Sequence, residues 1–403
     1  MPTERHGKVK RLLKSGKAKV IRLTPFTIQL LYETTEYVQP VTLGVDPGYE
    51  NVGLSAVTDK EEVFSAEATV RTDVPGVLST RRQYRRSRRN RKTRYRKPRF
   101  DNRVHSKHKG WLAPSVENRI DAHIKLIELV CSILPVTAIR VETAQFDIQK
   151  LKNPDIAGKD YQQGEQAGFG NVREYVLWRD NHTCRHCKGK SKDPVLQVHH
   201  IESRKTGGDR PDNLLTLCKT CHQKYHSAAF ELPSPDTGFK AATHINIMRW
   251  ELYERVKALD VAVDVTYGYQ TKYGRQLSGM RKSHSNDAFV IAVGNGQHRA
   301  IEQYQFRQVR KQNRKLHKGA RSHIKNKVSR VIFGYRQWDK VHYKGQEYFI
   351  KGRRSSGYFS LSDIFGSMAM LDGKKLASVR YSELALLEPA TTLLKRRATS
   401  SPR

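Results

Sequence analysis

The chain has 403 residues, room for two or three domains with real cores, and carries 74 Lys+Arg against 39 Asp+Glu, a formal charge of +35. Self-repulsion on that scale opposes compaction, so a polyanion is the expected counterpart. No apolar run reaches transmembrane length and no signal-peptide pattern opens the chain, so a membrane is not expected as that partner.

Residues 1–40 read as a small basic unit, with a short helix ending near Lys17, closed by Gly16, and strand-like alternation from Ala18 to Leu31. Val41 to Val45 is an apolar strand that runs into Asp46, Pro47 and Gly48. Asn51 to Val57 supplies the return strand of a hairpin, which leaves Asp46 near its mouth. Residues 81–110 hold fifteen Lys/Arg and one acidic residue and lead into a helix with Val116, Ile120, Ile124, Ile127 and Cys131 at helical spacing. A strand from Val136 to Val141 ends at Glu142. Residues 152–170 read as a linker, and 171–230 as a compact Cys/His-rich unit. A second amphipathic helix, about 243–259, precedes the strand Val261–Thr266. A loop with Gly268, Gly274 and Gly279 then leads to Ser283–Ala288, the opening of a short apolar helix. From 299 to 330 the chain is again basic, with eleven Lys/Arg and one Glu; 331–387 reads as a small β-rich module, and the last ten or so residues as frayed.

Asp46, Glu142 and Asp287 form the first constellation. Two of them terminate apolar strands and the third opens a helix, where His284 shares a face with it if the helix has begun. Carboxylates presented at strand ends suit hard divalent cations, and a pair of Mg2+ ions about 4 Å apart would stabilise both oxygens of a phosphodiester displacement.

The second constellation lies between 171 and 230. Cys184 and Cys187 are followed, after thirty residues, by Cys218 and Cys221, the spacing of a closed tetrahedral Zn2+ site. Paired in this way, and with only Cys131 outside the pairs, the cysteines fit a reducing cytoplasm. Val198-His199-His200-Ile201, then Asp212-Asn213-Leu214, then Cys221-His222 and His226 add four histidines and an asparagine. A strand-borne histidine can take a proton from water near neutral pH.

The acids, in this order, resemble the three segments of RuvC-type RNase H-like nucleases, and the His/Asn string resembles the HNH, or ββα-metal, nucleases. An HNH unit between the second and third RuvC segments, with an Arg-rich run after the first, is similar to the IscB family. These are transposon-associated nucleases related to the larger type II CRISPR effector, and the resemblance covers essentially the whole chain. It implies an α/β fold: a split RNase H-like (RuvC) core with an inserted ββα-metal HNH zinc unit, an Arg-rich bridge helix and a small C-terminal β-rich module. The corresponding ranges are 1–40 for the N-terminal module, 41–75 for RuvC-I, 76–110 for the bridge helix and 111–155 for RuvC-II. They continue with 165–235 for HNH, 240–298 for RuvC-III, 299–330 for a basic RNA-contacting segment and 331–403 for the module that meets target and adjacent motif.

The resemblance also assigns roles. Asp46, Glu142 and Asp287 would hold two Mg2+ ions, with His284 as proton acceptor or further ligand. His200 would be the HNH general base and His199 a metal ligand. Asn213 would hold that centre's one Mg2+ or orient the base; His222 is the preferred further ligand and His226 a possible one. Guide (omega) RNA would lie on Arg81, Arg82, Arg85, Arg86, Arg88, Arg89, Arg91 and Arg94, and on Arg310 and Arg314. Arginines all round a helix suit burial between phosphate backbones, and Tyr84 and Tyr95 could stack on bases. The expected partners are that RNA and double-stranded DNA carrying a short adjacent motif, around a monomeric protein acting in the prokaryotic cytoplasm at the nucleoid. HNH would cut the guide-paired strand and RuvC the displaced one. Members of the family usually start with a strand ahead of Pro-Leu-Met-Pro, whereas this chain opens at Met1-Pro2, as though inside that motif. The competing readings are an unguided HNH homing or repair nuclease and a cleavage-inactive RNA- and DNA-binding regulator. The intact acidic triad and the two basic segments weigh against the first, and retention of every expected ligand position against the second.

Overall fold

A computed structural model describes residues 3, 5–34, 37–90, 111–143, 166, 168–201, 211–227, 229–232, 239–310 and 329–399. The first elements are α1 (His6–Lys14), β1 (Ala18–Leu23), β2 (Phe26–Leu30), β3 (Thr42–Pro47), β4 (Asn51–Val57), β5 (Glu62–Thr69), α2 (Val74–Asn90) and α3 (Pro114–Cys131). Next come β6 (Ala138–Glu142), α4 (Val172–Arg179), β7 (Leu196–His200), β8 (Leu214–Cys218), α5 (Lys219–His226), α6 (Phe239–Lys257), β9 (Ala262–Thr266), α7 (Gly268–Leu277) and α8 (His284–Ile291). The chain then runs through β10 (Glu302–Gln308), β11 (Lys340–Tyr343), β12 (Gln346–Arg353), β13 (Tyr358–Ser362), β14 (Met370–Leu371) and β15 (Lys374–Lys375). It ends with β16 (Val379–Arg380), β17 (Ala385–Glu388) and β18 (Leu393–Thr399). Of the residues singled out in the sequence, the linker up to 165, Arg91, Arg94, Tyr95 and Arg314 lie outside the described residues.

Two compact units result: Met1–Val74, Thr80–Ala144 and Ile247–Arg403 in one, Pro75–Ser79 and Gln145–Asn246 in the other. The first is built on a seven-stranded mixed sheet in the order β18-β10-β5-β4-β3-β6-β9. One face of its central strands is apolar, with Leu43, Val45, Val52, Leu54, Ala56, Ile139 and Val141 aligned on it by the strand register and all essentially buried. α3 buries Val116, Ile120, Leu126, Ile127 and Val130, with Pro114 opening its first turn. Ile124, expected in this apolar stripe, is only half-buried, and the polar Arg119 and His123 occupy the buried face instead. α6 carries Arg255, which meets Glu251 on its own helix and Glu117 and Asp121 on α3.

Three expectations need correction. The glycine-bearing stretch after β9 is a helix, α7, and not a loop. Gly274 is tolerated inside it because the helix packs so closely that a Cβ there would lie 2.7 Å from Val290 Cγ1; the turn comes later, at Gly279 with φ +63°. Residues 393–399 are not frayed, since β18 pairs antiparallel with β10 along its whole length and Leu394 is buried with Val309, Phe349 and Ile364. The start of the basic 299–330 stretch is likewise part of the sheet: β10 lies parallel to β5 and buries Phe306. β5 itself escaped the sequence reading because its buried faces include polar groups. Its Glu62 is fully satisfied, accepting from Ser55 Oγ and from Arg299 Nε at 2.7 Å.

The other elements of this unit include a second sheet, in the order β16-β13-β12-β11-β17, over a core of Val341, Ile350, Phe359 and Leu361. In the second unit β7 and β8 form an antiparallel pair with His199 opposite Leu215 and His200 opposite Leu214. α5 follows β8 directly, and Asp193 holds its first turn by accepting from the Thr220 backbone N–H at 2.8 Å. α4 opens with a reciprocal cap, Asn171 Oδ1 accepting from Glu174 N–H at 2.9 Å and Glu174 accepting from Gly170 N–H. No described helix is long and apolar enough to cross a membrane.

Candidate metal centres

Glycine on neighbouring strands builds the acidic centre. Asp46 on β3 is paired with Gly53 on β4, and Gly53 with Glu67 on β5, so the three form one row on one face of the sheet. The middle position has no side chain, and α8 fills the space; a Cβ on Gly53 would stand 1.9 Å from the His284 carbonyl oxygen. Gly44, two residues before Asp46, has the same role against Ala288, whose carbonyl oxygen would be 2.0 Å from a Cβ. On the other side, Val45 is aligned with Val141 in the parallel β3–β6 pair, so Asp46 and Glu142 are the next residues along on adjacent strands.

α8 then delivers its two functional side chains. Ser283 caps it, accepting from Asn286 N–H at 3.1 Å, and His284 Nδ1 lies 2.6 Å from Asp46 Oδ2. The Ser285 N–H donates to Glu67 Oε1 at 3.1 Å. Asp287, one turn on from His284, meets Arg275 of α7 at 2.7 Å. That ion pair lies outside hydrogen-bond geometry, so Asp287 Oδ1 is buried without a hydrogen-bond partner. Burial lifts the Glu142 carboxyl to about 7; the nearby Thr271 hydroxyl pulls it back, and the charges of Asp46 and Asp287 push it up. Burial and the Asp46 charge raise Asp287 as well, against the pull of Arg275. His284 is raised by its bond to Asp46.

Three crowded carboxylates, of which Glu142 and Asp287 resist ionisation and Asp287 has an oxygen outside any hydrogen bond, fit a hard divalent cation such as Mg2+. They do not form as tight a set as the two clusters below, because Asp46 is turned to His284 and Asp287 to Arg275. Arg275, Thr271 and Glu67 were missed in the sequence. Thr271 and Arg275 stand four apart on α7, a signal hidden by taking the glycines around them for breakers; Glu67 leaves no local signal at all.

In the second unit the four cysteines come together, all free, with ligand atoms within 4.8 Å of one another. Cys187 Sγ and Cys218 Sγ are 3.9 Å apart. Four Zn–S bonds of about 2.3 Å at tetrahedral angles would separate the sulfurs by about 3.8 Å, so the set fits zinc. Beside it His199, His222 and His226 form a second cluster with the same 4.8 Å limit. His199 is buried and its Nε2 has no hydrogen-bond partner; its ring is 4.8 Å from His222 and 5.4 Å from His226. Burial and then the neighbouring imidazoles bring His199 down to about 4, so the ring is neutral near pH 7 and keeps a lone pair to donate. Three imidazoles fit a divalent metal; by donor type they suit a borderline ion such as zinc or nickel better than Mg2+, which prefers oxygen.

His200 is not in this cluster, although it is near enough to depress His199. Alternation along β7 turns the two side chains to opposite faces. Asn213 is fully buried in the short turn just before β8, its carbonyl accepting from Ile201 N–H at 2.9 Å. Arg81, Arg82, Arg85 and Arg86 are exposed on α2. By helical geometry these four share one side of the helix. Arg310 follows β10 and is partly buried.

Residues 1–164 match the RRXRR protein family, and residues 184–228 match the HNH endonuclease family. No curated protein is similar enough to match. Among solved structures the chain is similar to Streptococcus thermophilus Cas9 in complex with the AGAA PAM, at 15% identity and a TM-score of 0.30, over 45% of this chain and 26% of that one. It is also similar to the type II-C Cas9 enzyme from Actinomyces naeslundii, at 12% identity and a TM-score of 0.27, over 64% of this chain and 60% of that one. The chain thus spans about a quarter of the first protein's length and three fifths of the second's.

Proposed function

We propose, for a chain that carries an RRXRR region and an HNH endonuclease domain and so stands with the IscB/Cas9-like HNH nucleases, that it is an RNA-guided DNA endonuclease with two metal-dependent centres. The observation that carries this reading is the convergence of Asp46, Glu142, His284 and Asp287 at one end of a sheet that also holds the Arg-rich helix's flanking strands. An HNH domain alone would make a one-strand nuclease. A second acidic centre, built with glycines cleared for α8, is what cutting a second strand needs.

At each centre a divalent ion, when bound, would stabilise the charge that develops on the phosphate oxygens. At the acidic centre Asp46, Glu142 and Asp287 would hold two such ions, and His284, oriented through Nδ1 by Asp46, keeps its Nε2 side for a proton of the attacking water. Arg275 balances the charge of the Asp287 carboxylate. At the HNH centre His199, His222 and His226 would be the ligands. His200, on the opposite face of β7, takes the proton of the water that attacks phosphorus as the P–O bond to the leaving oxygen breaks. Asn213 orients that base. The four cysteines staple the unit around zinc without an open position for chemistry.

The chain's +35 charge and the exposed arginines of α2 support binding to a structured guide (omega) RNA. Base pairing to the guide would then select the DNA, with the protein reading duplex shape and a short adjacent motif. HNH would cut the guide-paired strand and the acidic centre the displaced one. Expression with the native flanking DNA, followed by sequencing of the RNA that survives DNase treatment of the purified protein, tests this. One discrete structured RNA with a segment free to pair is expected. A random cellular mixture would overturn the guided reading and leave an unguided HNH nuclease.

A further inference from the structure

α7 has two unlike faces. One turns Thr271, buried, and Arg275 towards the acids; the opposite face presents Tyr269 at 71% exposure, Tyr273 at 68% and Leu277 at 74%. These three recur every fourth residue, which aligns them in one row along the helix. At the N-terminal end of the row Tyr267 stacks on Tyr269, with ring centroids 6.2 Å apart and planes 6° from parallel. Between those two tyrosines sits Gly268, where a Cβ would lie 3.3 Å from Glu142 Oε1, so the helix backbone at this end of the row lies against the acidic centre. No acidic residue occurs from Tyr267 to Ser283, while Lys272, Arg281 and Lys282 are exposed.

Large aromatic rings left in water have no folding role, and an exposed row of them marks a binding surface. Its occupant must offer flat apolar faces and negative charge together, and must reach Glu142. Unpaired DNA bases on their phosphate backbone meet all three requirements, whereas the bases of a duplex are stacked on each other and offer no free face. We propose that the outer face of α7 is a stacking platform for single-stranded DNA, which leads the strand to the acidic centre. Tyr269 and Tyr273 are positioning residues: they hold bases while the acids, about one helix diameter away, act on the backbone. The proposal deepens the reading that this centre cuts a displaced strand, and rests on it.

The test uses the full-length protein with EDTA present, so that nothing is cut. A short oligothymidylate carrying 5-iodouridine is photocrosslinked and the sites are mapped by mass spectrometry; Tyr267, Tyr269 or Tyr273 is the expected position, and crosslinks confined to other segments overturn the platform. In parallel, the Tyr269→Ala/Tyr273→Ala variant should bind the same oligonucleotide roughly tenfold or more weakly, and Tyr269→Phe/Tyr273→Phe about as well as the parent. Duplex affinity and melting temperature should be unchanged in both. Equal binding by the alanine variant, or a loss with phenylalanine as large as with alanine, overturns stacking. So does concentration-dependent self-association of the parent that the alanine variant lacks, since the face would then seat a second copy. Crosslinks on α7 in a protein that never cuts a displaced strand would remove the functional reading and leave the platform standing.

Discussion

Asp46 and His284, 238 positions apart in the chain, meet with His284 Nδ1 2.6 Å from Asp46 Oδ2. One residue ends a strand and the other opens a helix, and the contact exists because Gly53 and Gly44 let that helix lie against the sheet. The pair ties the proposed metal ligand to the proposed proton acceptor, so disturbing either should affect one strand only.

Asp46→Ala should reduce cutting of the displaced strand by more than the roughly 10–100-fold that partners outside a metal's ligand set contribute, leaving the guide-paired strand nicked. His200→Ala should give the complementary nick. Strand-specific end labels on a duplex substrate distinguish the two. Unchanged double-strand cleavage in Asp46→Ala would refute the acidic centre, and the same result in His200→Ala would refute the HNH base.

Gly53→Ala brings a methyl group to within 1.9 Å of the His284 carbonyl oxygen, a backbone atom that cannot turn aside. α8 must move off the sheet, at a cost of about 1–3 kcal/mol by the usual scale of overpacking. The expected result is a lower melting temperature together with selective loss of displaced-strand cleavage. Full cleavage of both strands by Gly53→Ala would show that this helix position is not what sets the site.

Burial holds the Glu142 carboxyl at about 7, with Asp46 and Asp287 adding to the rise and Thr271 opposing it. In metal-free protein, folded Glu142 keeps a proton that the unfolded chain has already lost, so stability falls as pH rises from the ordinary value of 4.5 through about 7. A divalent cation reverses this above that window and must displace the proton below it. Mg2+ should therefore raise the melting temperature more at about pH 8 than at about pH 6, and Glu142→Gln should remove the difference. Equal increments at both pH values in the parent would argue against Glu142 as a ligand.

His123 on α3 is fully buried; its Nδ1 lies 2.8 Å from the Arg119 carbonyl and its Nε2 lacks a partner. Burial drives the imidazole down to about 4, with the Arg119 carbonyl opposing. The unfolded chain takes up a proton that the folded one refuses, so stability is lost as pH falls from about 6.5 towards 4, on the order of 3 kcal/mol in full. Denaturant titrations of His123→Leu across that range should show a shallower pH slope than the parent. Parallel slopes would place the acid sensitivity elsewhere.

Replacing Cys184 and Cys187 with serine should remove one zinc ion per chain and expose the second unit to proteolysis, because a structural zinc site supplies about 10–16 kcal/mol of apparent binding energy to folding. The first unit should keep its own melting transition. Unchanged zinc content by elemental analysis would exclude the four-cysteine site.

Spacing along the chain was enough to find the residues whose chemistry is local. The Cys-x-x-Cys pairs, the adjacent His199 and His200, His222 and His226 at one helical turn, and acids at the ends of apolar strands all show in a window of a few residues, because period and side-chain type are set there. The pattern could not show which of these meet. His199 joins His222 and His226, while His200 is turned away by the alternation of β7. Arg275 reaches Asp287, and Glu67 reaches α8, only across strand pairings that no local period encodes. The same holds for β5, hidden by its buried and satisfied Glu62, and for β18, whose place depends on β10. Sequence by itself determined the inventory of candidate ligands. The tertiary structure decided their grouping, because pairing between distant strands and the close approach of a helix over glycine are settled by packing of the whole sheet.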